Sequence, residues 1–246
     1  MIHLKHVAKS HVSLSVIILI SALYLLAQSA YFSWILTHLT FIDPTQSTKW
    51  VWPGIVSLLT SSLLAKTPYL LINFLHPLSL SEPWRYITPA LLHLEFQHFL
   101  LNLFWFTFLA PDLEKKMGTV KTLFVLIFAA FFTNTMQYLF QGPFFLGLSG
   151  VNAFLLGLSL IHPVLSSRAF FVPHKLQAIR ISALFLIVIA GADLAIYVLN
   201  SLASWSISQL HIAHFAHLSG LFAGIFLGPF IVASHCIVPK FKGIRS

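Results

Sequence analysis

Apolar segments about as long as a bilayer is thick constrain this chain more than any other feature. A helix that spans the hydrocarbon core needs about 20 mostly apolar residues. The chain supplies six such segments, at residues 12–36, 88–109, 120–140, 149–164, 179–200 and 212–238. Hydrophobic residues make up 58% of the chain and charged residues only 8%, which excludes an ordinary soluble domain. We therefore predict an all-α, polytopic membrane protein with six transmembrane helices.

The basic residues indicate how these segments are oriented. A net charge of +8 would suit a nucleic-acid partner, but 11 of the 14 lysines and arginines lie in four short clusters between or outside the apolar segments. The loops at 111–121 and 165–180 carry basic residues, whereas those at 141–148 and 201–211 carry none. Because this alternation follows the positive-inside rule, we expect both termini in the cytoplasm and no nucleic-acid partner.

Two regions allow more than one interpretation. Ala27-Gln28-Ser29 is compatible with a signal-peptide cleavage site, although the apolar run continues beyond it. Residues 37–83 form a long loop between the first two segments, and lysine and proline interrupt its apolar stretch. This pattern favours short interfacial or re-entrant helices, with a seventh spanning helix as the alternative.

Ser149 is the first candidate for chemistry. It lies within Gly147-Leu148-Ser149-Gly150, where a long apolar segment begins. Serine is a common helix N-cap, because its hydroxyl accepts a hydrogen bond from an unpaired amide of the first turn. The motif alone therefore favours a cap, and an activated nucleophile is the alternative.

Polar residues inside the apolar segments form a second group of candidates. Such groups are costly in a bilayer and usually face a bundle interior or a wet cavity. His98 and Asn102 are four residues apart and therefore share a helical face. Later segments add Asp193, His211, His214 and His217. Most of these residues fall near the outer ends of their segments, which predicts a hydrated cavity open to the outside.

Small residues at intervals of four line two of the segments. One stripe consists of Ser149, Ala153 and Gly157, and the other of Gly220, Gly224 and Gly228. Small residues at this spacing allow transmembrane helices to approach closely, although generic packing produces the same pattern. We expect these stripes, together with Gly150, to pack the two helices together. Ser149 and His217 would then come within about 2.6–3.2 Å, the reach of a nucleophile and its base.

Five motifs, in their order along the chain, resemble those of the rhomboid intramembrane serine proteases. They are Trp84-Arg85, the HxxxN of His98 to Asn102 with His93 upstream, the EKKMG of Glu114 to Gly118, the GLSG of Gly147 to Gly150, and the AHLSGLFAG of Ala216 to Gly224. The resemblance covers roughly residues 83–228, more than half of the chain. It implies a single membrane-embedded rhomboid domain over residues 1–246, with a core at about 83–238 and an extended first loop at about 37–83.

The resemblance also implies an activity and a role for each motif. Ser149 would be the nucleophile and His217 the general base of a dyad that lacks an acid. His98, Asn102 and the backbone amide of Ser149 would form the oxyanion hole. Structural roles would fall to Trp84, Arg85 and Glu114. The implied substrates are transmembrane proteins cleaved near the outer interface of a bacterial inner membrane, in contact with membrane lipids and without a cofactor or metal.

Two positions depart from the family pattern. Many members have a glycine where this chain has Leu146, and a tyrosine that stacks on the catalytic histidine where this chain has Ala153. These departures favour, as an alternative, a catalytically inactive rhomboid-like protein that binds transmembrane clients. A metal or proton transporter is a third hypothesis, but His211, His214 and His217 do not share one helical face, which disfavours a ligand set on that helix.

Overall fold

The computed structural model describes residues 10–41, 82–165 and 213–233, together with six isolated helical positions between 180 and 195. The helices are α1 (His11–Ala27), α2 (Phe32–Leu39), α3 (Phe96–Met117), α4 (Thr119–Gln141), α5 (Ser149–Leu165) and α6 (His214–Ala233). Two short 3-10 helices, Pro83–Tyr86 and Thr88–Leu91, precede α3. No strand occurs among the described residues, which confirms the all-α class for this part of the chain.

Among the described residues, two helices are long and apolar enough to cross a membrane, namely α4 and the His214–Ile231 part of α6. The helix α1 and the Ser149–Leu160 part of α5 are apolar but shorter. Helices α4 and α5 occupy the segments predicted at 120–140 and 149–164, which confirms that these segments are helical. The described residues do not include most of segment 179–200, the ends of segment 212–238, or residues 42–81. The count of six spans therefore stays a prediction.

The prediction of one continuous helix over residues 12–36 is wrong. Helix α1 ends at Ala27, and a turn separates it from α2. In that turn the amide of Ser29 donates to the Leu26 carbonyl at 3.0 Å, and the Ser29 hydroxyl donates to the same carbonyl at 2.6 Å. A side-chain hydroxyl that bonds a nearby carbonyl offers the backbone an alternative to further helix. The apolar run is therefore broken by local hydrogen bonding.

The segment predicted at 88–109 is displaced toward the carboxyl end. Its first part is the 3-10 helix Thr88–Leu91, followed by irregular residues, and the α-helix begins only at Phe96. Helix α3 then continues through Pro111 to Met117. The φ of 82° at Gly118 is a conformation that glycine adopts at little cost, and it separates α3 from α4. The basic loop predicted at 111–121 is therefore mostly helical.

Helix α5 is the central helix of the described part of the bundle. Every residue from 150 to 159 is buried, and α5 contacts α3, α4 and, most extensively, α6. A Cβ added to Gly157 would collide with the Leu221 carbonyl oxygen, and one added to Gly224 would collide with the Phe154 carbonyl oxygen. Only glycine allows backbones to approach so closely. This contact fixes α5 and α6 relative to each other.

Arg85 and Trp84 anchor the 3-10 helix Pro83–Tyr86 to the end of α2. The Arg85 guanidinium donates to the carbonyl oxygens of Thr37 at 2.7 Å and Thr40 at 2.9 Å. The Trp84 indole donates to a carbonyl oxygen in the last turn of α2, at 3.0 Å. Carbonyls at a helix end lack intrahelical partners, so these side chains complete α2 and hold the segment that leads into α3.

Glu114 joins the last turn of α3 to the starts of α1 and α4. Its carboxylate accepts hydrogen bonds from the amides of Val12 and Ser13, both at 2.9 Å, and from the Ser13 hydroxyl at 2.8 Å. It also accepts one from the Thr119 hydroxyl at 3.2 Å. The two amides belong to the first turn of α1, where intrahelical partners are missing and negative charge is favourable. Glu114 therefore caps α1 from another helix.

Replacing Glu114 by alanine is expected to lower the free energy of unfolding by about 1–3 kcal/mol, because two amides of α1 lose their acceptor. The measurement is the thermal midpoint in detergent micelles, followed by tryptophan fluorescence. Lys115→Ala is the control, because Lys115 is the exposed neighbour of Glu114. Equal midpoints for the two variants would contradict the capping role of Glu114.

Candidate active site

Hydrogen bonds to the segment before α3 fix the loop that leads into α5. The Gly147 amide donates to the Pro89 carbonyl at 2.9 Å, and the Leu148 amide donates to His93 Nε2 at 3.3 Å. The Leu148 carbonyl in turn accepts from the Asn152 amide at 2.9 Å. Leu148 therefore occupies the N-cap position, and Ser149 is the first helical residue. The Ser149 amide belongs to the group at a helix start that lacks intrahelical partners.

Gly147 lies directly against the two side chains predicted to form an oxyanion hole. Its φ is 115°, a conformation that other residues rarely adopt. A Cβ built on Gly147 would lie 2.6 Å from His98 Cε1 and 3.6 Å from Asn102 Nδ2. Both the backbone conformation and the lack of space therefore require glycine here. The structure thus brings His98 and Asn102 next to the backbone that precedes Ser149.

Asn152 is a polar partner of Asn102 that the sequence analysis missed. Its side-chain amide donates to the Asn102 backbone carbonyl at 3.0 Å and to Asn102 Oδ1 at 3.1 Å. The Asn102 amide nitrogen donates to the His98 carbonyl at 3.0 Å. The available sequence signal was a polar residue within an apolar segment, three positions after Ser149. That signal does not identify the partner of Asn152, because the contact joins two different helices.

Helix α6 places His217 at the same end of the bundle as Ser149. A Cβ added to Gly150 would lie 3.3 Å from the Ala216 Cβ, and one added to Gly220 would lie 2.5 Å from the Gly150 carbonyl oxygen. Gly150 and Ala216 are the chain neighbours of Ser149 and His217. Among the described residues, neither ring nitrogen of His217 has a hydrogen-bond partner. The hydrogen bond between Ser149 and His217 is therefore not formed in this structure.

Gln137 ties the first turn of α6 to α4. Its Oε1 accepts a hydrogen bond from the Ala216 amide at 3.0 Å, and its Nε2 donates to Gln141 Oε1 at 2.6 Å. Gln137 is buried. It supplies an acceptor to one of the unpaired amides at the start of α6, next to His217. Gln137 is not among the sequence candidates, although it is a glutamine within an apolar segment.

The remaining sequence candidates differ in whether the structure describes them. Asp193 and His211 lie outside the described residues. Leu146 packs against an apolar cluster formed by Ala27, Ile35 and Leu92, and Ala153 is buried in α5. Within the described ranges, no group of three or more histidine, cysteine or acidic side chains is arranged to hold a metal ion.

His93 is the titratable group that supports the loop before Ser149. Burial and, to a lesser extent, the nearby His98 lower the pKa of His93 to about 4, and the Leu91 carbonyl acts in the opposite direction. His93 is therefore neutral at pH 7. A neutral imidazole has one unprotonated nitrogen, which is what Nε2 needs to accept the Leu148 amide.

Comparison with known proteins identifies relatives of this chain. The Rhomboid domain family model matches residues 80–234, more than half of the chain. The chain is 35% identical over 145 residues to Rhomboid protease GlpG of Yersinia enterocolitica, covering 58% of this chain and 46% of that protein. It is 33% identical over 151 residues to Rhomboid protease GlpG of Haemophilus influenzae, covering 60% of this chain and 69% of that protein. The chain thus spans about half the length of the Yersinia relative.

Replacing His93 by glutamine is expected to flatten the pH dependence of stability. The pKa of His93 is about 4 in the folded chain and about 6.5 in an unfolded one. The unfolded state therefore binds the proton more readily, and His93 contributes stability that is complete above pH ~6.5 and declines toward pH ~4. Glutamine keeps an acceptor for Leu148 and removes this titration.

Thermal midpoints at pH 7 and pH 5 measure the effect of His93→Gln. His38→Gln is the control, because His38 is exposed on α2. The native chain and the His38 variant are expected to lose more stability at pH 5 than the His93 variant. Equal losses in all three proteins would contradict the buried, neutral state of His93.

Proposed function

Because the chain belongs to the rhomboid family, whose domain model covers residues 80–234, we propose that it is an intramembrane serine endopeptidase. Ser149 is the nucleophile in this proposal, and His217 is the general base. The observation that supports it best is the packing of Gly150 against Ala216, because these residues adjoin Ser149 and His217. Ser149 and His217 therefore belong to helices that pack closely at this end of the pair.

Peptide hydrolysis requires that a base remove the Ser149 proton as the hydroxyl attacks the carbonyl carbon. A neutral histidine performs this near pH 7. Neither ring nitrogen of His217 is engaged with another described residue, so each is available to take that proton and later return it to the leaving amine. Hydrogen bonds of this kind are often long or absent before substrate binds, which accounts for the missing contact.

Negative charge that develops on the substrate oxygen must be met by donors already in place. We assign this role to the side chains of His98 and Asn102, which lie against Gly147, and to the amide of Ser149, two residues further along the chain. The amide lies at the amino end of α5, where the helix dipole adds positive potential. Loss of one such donor in comparable enzymes costs about 10²–10³ in rate.

The site lies at one end of the helices, which supports cleavage near a membrane surface. His98 lies in the first turn of α3, Ser149 begins α5, and His217 lies in the first turn of α6. The basic residues Lys115 and Lys116 lie at the opposite end of α3, which the positive-inside rule assigns to the cytoplasm. The proposed substrates are transmembrane proteins cut near the outer interface of a bacterial inner membrane, with both termini of the enzyme cytoplasmic.

A second candidate function is a catalytically inactive rhomboid-like protein that binds transmembrane clients. The observation that favours it is the unpartnered ring of His217, in a chain where Ala153 replaces the tyrosine expected to stack on it. Such a protein would keep the fold and the helix packing without cleaving its clients. Cleavage that depends on Ser149 separates the two functions.

Replacing Ser149 by alanine is expected to abolish cleavage of a single-span model substrate in liposomes, because the attacking oxygen is lost. Ser159→Ala is the matched control. Ser159 is a buried serine of the same helix whose hydroxyl donates to the Leu155 carbonyl at 2.6 Å, and its loss should leave cleavage nearly unchanged. Product formation is measured by gel electrophoresis. Undiminished cleavage by the Ser149 variant would refute the proposal, and a folded native chain that does not cleave would favour the client-binding function.

A further inference from the structure

We propose that Asn152 is a positioning residue, which orients the side chain of Asn102 so that its amide nitrogen faces the oxyanion. This inference rests on the proposed function of Ser149 and Asn102. Asn152 lies in the first turn of α5, and Asn102 lies in the second turn of α3. Both are almost completely buried, with 7% and 4% of their surfaces exposed.

Two hydrogen bonds from one group define the contact. The Asn152 side-chain nitrogen donates to Asn102 Oδ1 at 3.1 Å and to the Asn102 backbone carbonyl at 3.0 Å. An amide nitrogen carries two hydrogens, so a single side chain satisfies both acceptors. The oxygen end of the Asn102 amide is thereby held toward α5.

The opposite end of the Asn102 amide is directed at the proposed site. Its nitrogen donates one hydrogen to the His98 carbonyl at 3.0 Å. The same nitrogen would lie 3.6 Å from a Cβ on Gly147, beside the backbone that leads to Ser149. The second hydrogen of this nitrogen is then the one that meets the substrate oxygen.

The orientation of the Asn102 side-chain amide matters because its two ends are similar in shape but opposite in chemistry. The nitrogen end donates hydrogen bonds, and the oxygen end accepts them. A rotation of about 180° would replace the nitrogen donor by an oxygen acceptor with little change in volume. An acceptor facing the developing negative charge would raise the barrier that a donor lowers. The donor supplied by Asn152 favours one of the two orientations, because Oδ1 would lose its partner in the other.

Asn152 itself is not a fully satisfied structural residue. Its own Oδ1 is buried and has no hydrogen-bond partner among the described residues. An unsatisfied buried acceptor destabilises the folded state. An apolar side chain of similar volume would avoid that cost but would leave Asn102 Oδ1 without its donor, so the unpaired oxygen of Asn152 does not account for asparagine at this position. A requirement for its donor, directed at Asn102, does account for it.

Replacing Asn152 by leucine tests the inference. We expect kcat for a model transmembrane substrate to fall by about 10- to 100-fold with KM unchanged, because the donor is misdirected only where charge develops. Asn134→Leu is the matched control. Asn134 is a buried asparagine of α4 that donates to the Tyr86 carbonyl at 2.9 Å, and its loss should lower the thermal midpoint while kcat of the folded protein stays near the native value.

A double-mutant cycle separates positioning from a general structural effect. If Asn152 acts through Asn102, the Asn152→Leu change should not lower kcat further in an Asn102→Ala background. An equal fall in both backgrounds would overturn the inference, as would a native kcat for Asn152→Leu or an equal loss in Asn134→Leu. These results leave the proposed function intact if cleavage still requires Ser149. Absence of any cleavage that depends on Ser149 in the native chain would overturn both.

Discussion

The close approach of α5 to α6 is the contact on which the rest of the described structure depends. In a bilayer there is little hydrophobic force between helices, so association relies on close packing and hydrogen bonds. Gly157 and Gly224 each lie against a carbonyl oxygen of the partner helix, and Gly150 and Gly220 lie against each other at the end that carries Ser149. The same packing that stabilises the helix pair therefore also determines where the proposed nucleophile and its proposed base can be.

Buried polar side chains complete this arrangement by binding the backbone of neighbouring elements. His93 accepts from the loop before α5, Asn152 donates to α3, and Gln137 accepts from the first turn of α6. Burying an unpaired polar group in an apolar medium costs several kcal/mol of stability. Each of these hydrogen bonds therefore favours one alignment of the two elements that it joins. His217 contrasts with them, since its ring nitrogens have no partner among the described residues.

Helical periodicity made part of this arrangement predictable. The spacing of His98 and Asn102, and the glycine stripes, follow from the geometry of one helix and can be read without a structure. The sequence does not predict the break after Ala27 or the late start of α3 at Phe96. Apolar composition indicates a preference for the bilayer, but it does not indicate the local hydrogen bonds that end a helix. The contact of Asn152 with Asn102 depends on how two helices pack, which the sequence of either helix does not specify.

We propose that the packing of α5 on α6 places His217 where it can activate Ser149 as a nucleophile. The most direct measurement is covalent labelling of the detergent-solubilised chain with a fluorophosphonate, followed by peptide mapping. We expect the label on Ser149 in the native chain and its near-complete loss in a folded His217→Ala variant. A folded native chain that does not react, or a label attached to a different residue, would contradict the account.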